Sequence, residues 1–364
     1  MPSVSSLSRK ALFPKEKLFL AGYPPAELAE LLSPLPRYRA HQIFFRISRG
    51  DASFGEMTEL PKSLRLELEE RFSVCSSKIS GRLEDGDGTV KLQITLHDGG
   101  KIESVLLNDG SGRNTACLST QAGCPMGCIF CRTGALAFKR NLVSAEIVEQ
   151  FLFLRKTVSA GKTDDSNVIS NIVVMGMGEP LLNLEELRRA IAVITAKEGL
   201  GLSPRRITVS TGGIAAGIRD LAENGPPVRL ALSLTTADSE LRERLMPVTR
   251  TNPLKEVKAA LAKYQKNENR RVTLEMVLLG GINTRQKDIE ELERFADGLD
   301  VIVNLIPWNP VEGMFFEGRA LREPERGELA AFTALLEKRG IAYTCRRRKG
   351  RGVCGACGQL GAAD

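Results

Sequence analysis

From about residue 115 onward, short apolar runs alternate with helical stripes, and this alternation restricts the fold more than any other feature of the sequence. Runs at 115–119, 171–176, 206–211, 228–234, 272–279, 301–306 and 341–345 read as buried strands. The helices between them carry apolar residues every three or four positions: Leu184, Leu187, Ile191 and Ile194; Ile214, Ile218 and Leu221; Ile289, Leu292 and Phe295; Leu329, Phe332 and Leu336. The last begins near Pro324 and stops at Gly340, ordinary start and stop residues. Such alternation predicts an α/β fold: a parallel sheet with crossover helices, closed or partly closed as a barrel. Ligands of these folds sit at the C-terminal ends of the strands. Each motif described below follows an expected strand.

Upstream the periodicity differs. Residues 1–75 read as helical, with Leu28, Leu31 and Leu32, then Ile43, Phe44 and Ile47, then Leu64, Leu68 and Phe72 at helical spacing and prolines between them. Val90, Leu92, Ile94 and Leu96 then alternate with polar residues, and a second run follows the turn at 98–100, so 78–107 reads as a short antiparallel ribbon. His97 precedes Asp98-Gly99-Gly100 and is expected to be a solvated turn residue; His41 is expected to be structural.

The chain has 364 residues and a net charge of +7, which suits a polyanionic partner without requiring one. No apolar run approaches the ~20 residues of a membrane span, and Leu18 to Ala21 is too short for a signal-peptide core. A cytoplasmic, monomeric protein is expected. Its eight cysteines are clustered rather than spread over a short secreted scaffold, which favours metal binding or catalysis over structural disulfides.

Cys124, Cys128 and Cys131 stand at x3 and x2 spacing in the loop after the 115–119 strand. A 4Fe-4S cluster usually takes four cysteines. Three leave one iron open to an exogenous chelator, a place that the amino and carboxylate groups of S-adenosylmethionine can fill beside a one-electron donor. A zinc site and plain structural cysteines are the alternatives, though zinc prefers a fourth protein ligand. Gly176-Met-Gly178-Glu179-Pro180 follows the next strand; its glycines permit close backbone approach and Glu179 can accept from an ammonium group. Alone, this segment also fits an ordinary strand-to-helix turn. Ser210-Thr211-Gly212-Gly213 and Ser233-Leu234-Thr235 place hydroxyls at strand ends, where they suit a ribose or carboxylate but also cap helices. Asn309 can meet a cofactor, whereas Trp308 beside it is expected to pack. The tail pairs Cys354 and Cys357 behind the basic residues Arg346, Arg347, Arg348, Lys349 and Arg351.

Together these motifs resemble the RlmN/Cfr family of radical S-adenosylmethionine RNA methyltransferases, over nearly the whole chain. The resemblance rests on Tyr38-Arg-Ala-His-Gln-Ile, on Cys117 seven residues before the cysteine triad, and on the GMGEPLLN, VST, LALSL, NLIPWNP and ACGQL segments. It implies a partial (β/α) barrel of the radical S-adenosylmethionine type, with an N-terminal helical RNA-binding domain (1–75), a β-ribbon linker (76–110), the barrel (111–345) and a tail (346–364). It implies a cluster on Cys124, Cys128 and Cys131, and two molecules of S-adenosylmethionine per turnover. One methylates Cys357; the other yields a 5′-deoxyadenosyl radical that activates that methyl for addition to adenine. Cys117 then resolves the protein–RNA adduct, ending as a Cys117–Cys357 disulfide, with Glu103 as proton acceptor. Gly178, Glu179, Ser210, Ser233, Leu234, Thr235 and Asn309 are implied to line the S-adenosylmethionine site. The implied partners are 23S ribosomal RNA, with transfer RNA as a further substrate, and an electron donor such as flavodoxin or ferredoxin.

Three features depart from the family pattern. Thr235 stands where the family has His, Arg351 and Cys354 replace acidic residues before ACGQL, and the Glu103–Cys117 interval is one residue longer. Carbon 2 of an adenosine in 23S ribosomal RNA is the leading target, and carbon 8 is the rival. Two other classes remain open: an activase that installs a glycyl radical, and a cluster-bearing RNA-binding module without catalysis. Cys75 and Cys345 are expected to be buried structural thiols and Cys354 a bystander.

Overall fold

The computed structural model describes residues 17–159, 169–346, 349–350 and 352–361. Three prolines set the N-terminal helices: α1 (Pro25–Leu31) has Pro25 at its first position, and α2 (Arg37–Arg49) and α3 (Lys62–Arg71) begin directly after Pro36 and Pro61. α2 ends at Gly50, whose φ of 101° is left-handed and closes the helix. Leu28, Ile43, Phe44, Ile47 and Leu68 bury these helices in the same apolar core as the strands.

The central sheet has ten strands in the order β10-β9-β8-β7-β6-β5-β4-β3-β2-β1. β1 (Lys78–Glu84), β2 (Val90–Thr95) and β3 (Lys101–Asn108) run antiparallel, and β3 pairs antiparallel with β4 (Asn114–Cys117). The ribbon therefore continues the main sheet. From β4 the pairing is parallel throughout, through β5 (Ile169–Val174), β6 (Ile207–Thr211), β7 (Arg229–Ser233), β8 (Val272–Leu278), β9 (Val301–Pro307) and β10 (Tyr343–Cys345). Spatial order follows sequence order because a helical crossover links successive strands. These are α4 (Ser144–Ser159), α5 (Leu184–Thr195), α6 (Ala215–Asn224), α7 (Ser239–Leu245) with α8 (Leu254–Glu268), α9 (Gln286–Ala296) and α10 (Arg326–Lys338). Among the described residues β10 pairs only with β9, so the curved parallel sheet is not closed by strand pairing.

α4 joins the N-terminal helices to the sheet. A Cβ on Gly22 would lie 2.4 Å from the Ala145 backbone nitrogen, so only glycine permits that contact. Glu149 of α4 is fully buried and accepts the backbone N–H groups of Ser76 (2.7 Å) and Ser77 (2.9 Å), fixing the chain between α3 and β1.

Two expectations need correction. His97 is half-buried rather than solvated: its Nδ1 lies 3.0 Å from Glu146 Oε1, and the buried Glu146 also takes a bidentate pair from Arg140. Cys345 is exposed, because it ends a three-residue strand at the sheet edge. Arg347, Arg348 and Arg351 lie outside the described residues.

Candidate active site

The cluster motif sits at the C-terminal end of the parallel sheet, in the loop between β4 and α4. Cys131 N–H bonds back to the Cys128 carbonyl (3.2 Å) and a single helical turn, Arg132–Ala135, follows. Trp308 supports the loop from across the barrel, donating its indole N–H to the Phe130 carbonyl at 2.9 Å. It thus packs, as expected, but against the cluster loop.

Cys124, Cys128 and Cys131 line one cavity of about 130 Å³ together with Gly178, Glu179, Ser210, Ser233, Asn309 and Cys357. The C-terminal ends of β6 and β7 and the loops after β4, β5 and β9 thus converge, as do most of the residues singled out in the sequence. Leu234 and Thr235 are fully buried, and neither lines this cavity. Both donate their N–H groups to the Glu275 carbonyl, at 2.9 and 3.0 Å, and Thr235 has a left-handed φ of 61°.

Gly178 is required by both conformation and space. Its φ is 101°, and a Cβ there would stand 2.5 Å from Gln121 Cβ. The buried Glu179 carboxylate accepts from Leu181 N–H (3.0 Å) and Gly212 N–H (2.7 Å), tying the loop after β5 to the loop after β6. Burial raises its pKa. Burial also pushes the Cys124 thiol up to about 12 and raises Cys128 and Cys131, so all three favour the neutral form until a cation stabilises the thiolates.

Cys117 and Cys357 line a second cavity of about 730 Å³, which shares Met175, Ile306, Asn309, Cys357 and Leu360 with the first. Both are free thiols. Burial pushes Cys117 up to about 11 and Cys357 up to about 12, and the Arg346 charge pulls both the other way. The tail that carries Cys357 is strapped down by backbone and side-chain bonds. Asn309 Nδ2 donates to the Cys357 carbonyl (2.9 Å), Arg132 N–H to the Gly358 carbonyl (2.8 Å) and Gln359 Nε2 to the Pro310 carbonyl (2.9 Å). Glu103 closes the strap: it accepts Gly361 N–H at 2.8 Å and pairs with Lys91 at 3.0 Å. Glu103 lies at neither cavity wall. Cys354 is exposed, with a left-handed φ of 47°.

Three supporting residues escaped the sequence reading. Arg242, in α7, is fully buried and donates to the carbonyls of Leu234 (3.0 Å), Gly212 (2.8 Å) and Ser233 (3.1 Å) and to Thr249 Oγ1 (2.7 Å). Glu275, a carboxylate inside an apolar strand, accepts from Ser210 Oγ at 2.9 Å. Gln121 accepts Glu179 N–H at 2.8 Å. Only Glu275 carried a readable signal, an acid at a core-facing strand position.

Comparison with known proteins agrees with this geometry. Residues 118–296 match the radical SAM superfamily. The chain is 48% identical over 347 residues to the probable dual-specificity RNA methyltransferase RlmN of Treponema denticola, covering 95% of this chain and 96% of that protein. It is 42% identical to the dual-specificity RNA methyltransferase RlmN of Pelobacter propionicus, covering 89% of each. The chain belongs to the RlmN/Cfr family of radical S-adenosylmethionine RNA methyltransferases. The crystal structure of a radical SAM methyltransferase from Sphaerobacter thermophilus superposes with a TM-score of 0.88 at 38% identity, covering 94% of this chain and 99% of that one. As a member of the RlmN/Cfr family this is an S-adenosylmethionine-dependent radical enzyme that uses a 4Fe-4S cluster. The donor set fits: the three thiols share one cavity at the strand ends with the Glu179 carboxylate and the Ser210 and Ser233 hydroxyls, polar groups suited to the free end of S-adenosylmethionine.

Proposed function

We propose that this enzyme methylates carbon 2 of an adenosine in 23S ribosomal RNA, and of an adenosine in transfer RNA as a second substrate, through S-methylcysteine at Cys357. The observation that carries this reading is that Cys117 and Cys357 line one cavity and that Cys357 also lines the cavity of the cysteine triad. An activase or a binding module needs neither thiol. The dual-specificity naming of the relatives supports two RNA substrates.

When bound, the cluster and S-adenosylmethionine supply the methyl group and the 5′-deoxyadenosyl radical. Cys124, Cys128 and Cys131 hold the cluster. Gly178, Glu179, Ser210, Ser233 and Asn309 frame S-adenosylmethionine, and Leu234 and Thr235 shape the loop behind them. Cys357 carries the methyl to the adenine and stays covalently joined to it. Cys117 then attacks the Cys357 sulfur and breaks its bond to the transferred carbon; that bond's electron pair leaves with the methylated adenine, which takes up a proton, and a Cys117–Cys357 disulfide remains as the RNA is freed. Glu103 serves as proton acceptor and, through Gly361, fixes the tail. The helices of 1–75 bind RNA, 76–110 links them to the barrel at 111–345, and 346–364 delivers Cys357. A monomer in the cytoplasm, reduced by flavodoxin or ferredoxin, completes the reading.

The test is anaerobic turnover of the reconstituted enzyme with 23S ribosomal RNA lacking the modification, followed by digestion and mass spectrometry. 2-Methyladenosine is the expected product. 8-Methyladenosine overturns the choice of carbon. 5′-Deoxyadenosine without methylated RNA overturns the substrate.

A further inference from the structure

The 730 Å³ cavity has a second end that the methyl-transfer chemistry does not use. Its cofactor end lies at Cys117, Cys357 and Asn309, at the C-terminal ends of the strands. Its other end is lined by Arg206, immediately before β6, and Arg229, the first residue of β7. These are the N-terminal ends of two adjacent parallel strands. From Arg229 to Ser233 is the length of β7, about 13 Å at a rise of about 3.3 Å per residue. The cavity therefore runs through the concave side of the sheet, from the thiols to the opposite rim.

Both arginines are exposed at that rim, and neither is held by an ion pair with another described residue. Arg113, Arg346 and Lys349 line the same cavity. Against them stand Asp109, 3.8 Å from Arg113, and Glu323. The balance of charge along the wall is positive. Such a rim selects a polyanion, and a cavity within the roughly 300–1,000 Å³ range of single-ligand pockets takes a nucleotide extruded from its strand rather than a paired segment.

We infer that the target adenosine enters from the N-terminal rim of the barrel, with Arg206 and Arg229 gripping the phosphates that flank it. The inference rests on the RNA-methylating reading above. The base passes inward along the strands toward Cys117 and Cys357, while S-adenosylmethionine occupies the opposite end. The two substrates then approach the methyl-carrying sulfur from opposite sides. Arg206 and Arg229 are positioning residues that hold the ribose–phosphate backbone without touching the reacting atoms.

The test uses the reconstituted full-length enzyme with unmodified 23S ribosomal RNA and the variants R206A, R229A, R206K and R229K. Each alanine variant should raise KM for RNA roughly fivefold to tenfold at 0.15 M salt, with kcat within about twofold of wild type. The slope of log affinity against log salt should fall by about 0.7–1 per arginine removed. The lysine variants should restore the slope. Iron content and S-methylation of Cys357 without RNA should match wild type. Unchanged KM and salt slope, with wild type active, overturn the inference and leave the methylating reading intact. A fall in kcat or iron content at unchanged KM also overturns it, showing a structural role. An inactive wild type points instead to failure of the functional reading.

Discussion

Asn309 donates its side-chain amide to the main-chain carbonyl of Cys357 at 2.9 Å, joining the loop after β9 to the segment that carries the proposed methyl acceptor. The same side chain lines the cavity of the cysteine triad. If that cavity holds S-adenosylmethionine as proposed, a residue in both places couples the position of the tail to the position of the cofactor.

N309A should therefore uncouple the two half-reactions. A neutral hydrogen bond contributes about 0.5–1.5 kcal/mol net, so methyl transfer should slow by up to about tenfold. The 5′-deoxyadenosine formed per methyl delivered should rise. Both products are counted in one anaerobic assay, and an unchanged ratio would rule out this coupling.

The two cavity thiols should fail differently. C357A should abolish RNA methylation and leave no covalent protein–RNA species. C117A should form the adduct and hold it, giving a slow-migrating band on a denaturing gel that RNase shortens. If C117A turns over normally, Cys117 does not resolve the adduct.

Arg242 should prove structural for the cofactor loops. Burial lowers its pKa to about 10, so it stays charged at neutral pH while serving three carbonyls and a hydroxyl. R242M keeps the bulk and removes every donor, leaving buried carbonyls unpaired at about 1–3 kcal/mol each. A loss of about 3 kcal/mol or more is expected from urea denaturation, together with reduced iron retention.

His97 should give stability a pH dependence. Its pKa is raised, first by the hydrogen bond to Glu146 and then by that carboxylate's charge. The folded state therefore binds the proton more tightly than the unfolded chain does. The resulting stability is fully present below the ordinary histidine value of about 6.5 and is lost as pH rises through the folded value. Glu149, pushed up to about 7 by burial, titrates in the same sense. H97N should flatten the decline in urea midpoint above pH 6.5 relative to wild type; an identical slope would assign the whole effect elsewhere.

Much of the barrel was legible because a strand buried on both faces must be apolar along its length. The expected run 272–279 forms β8 over 272–278, and 206–211 forms β6 over 207–211. Triad spacing, likewise, is local information. His97 shows where legibility stops: the turn after it was read correctly, with Gly99 at a φ of 83°, but its partner Glu146 lies on a helix far along the chain. Arg242 was hidden for a related reason. Leu-Arg-Glu-Arg-Leu reads as a solvated helix face, and nothing local reveals three strand-end carbonyls waiting to be bonded. Cys345 sat in a strand pattern, but pattern alone does not say that the strand is the sheet's edge.

The strapped tail also sets an order of events during translation. Every strand and loop that lines the cavity of the cysteine triad, the tail itself excepted, is synthesised before Cys357. The strap anchors at Glu103, Arg132, Asn309 and Pro310, residues that must already be folded to receive it. In the proposed scheme, a growing chain can therefore fold the cavity of the cysteine triad before the proposed methyl carrier exists. On that reading, competence waits on the docking of the tail at these four anchors.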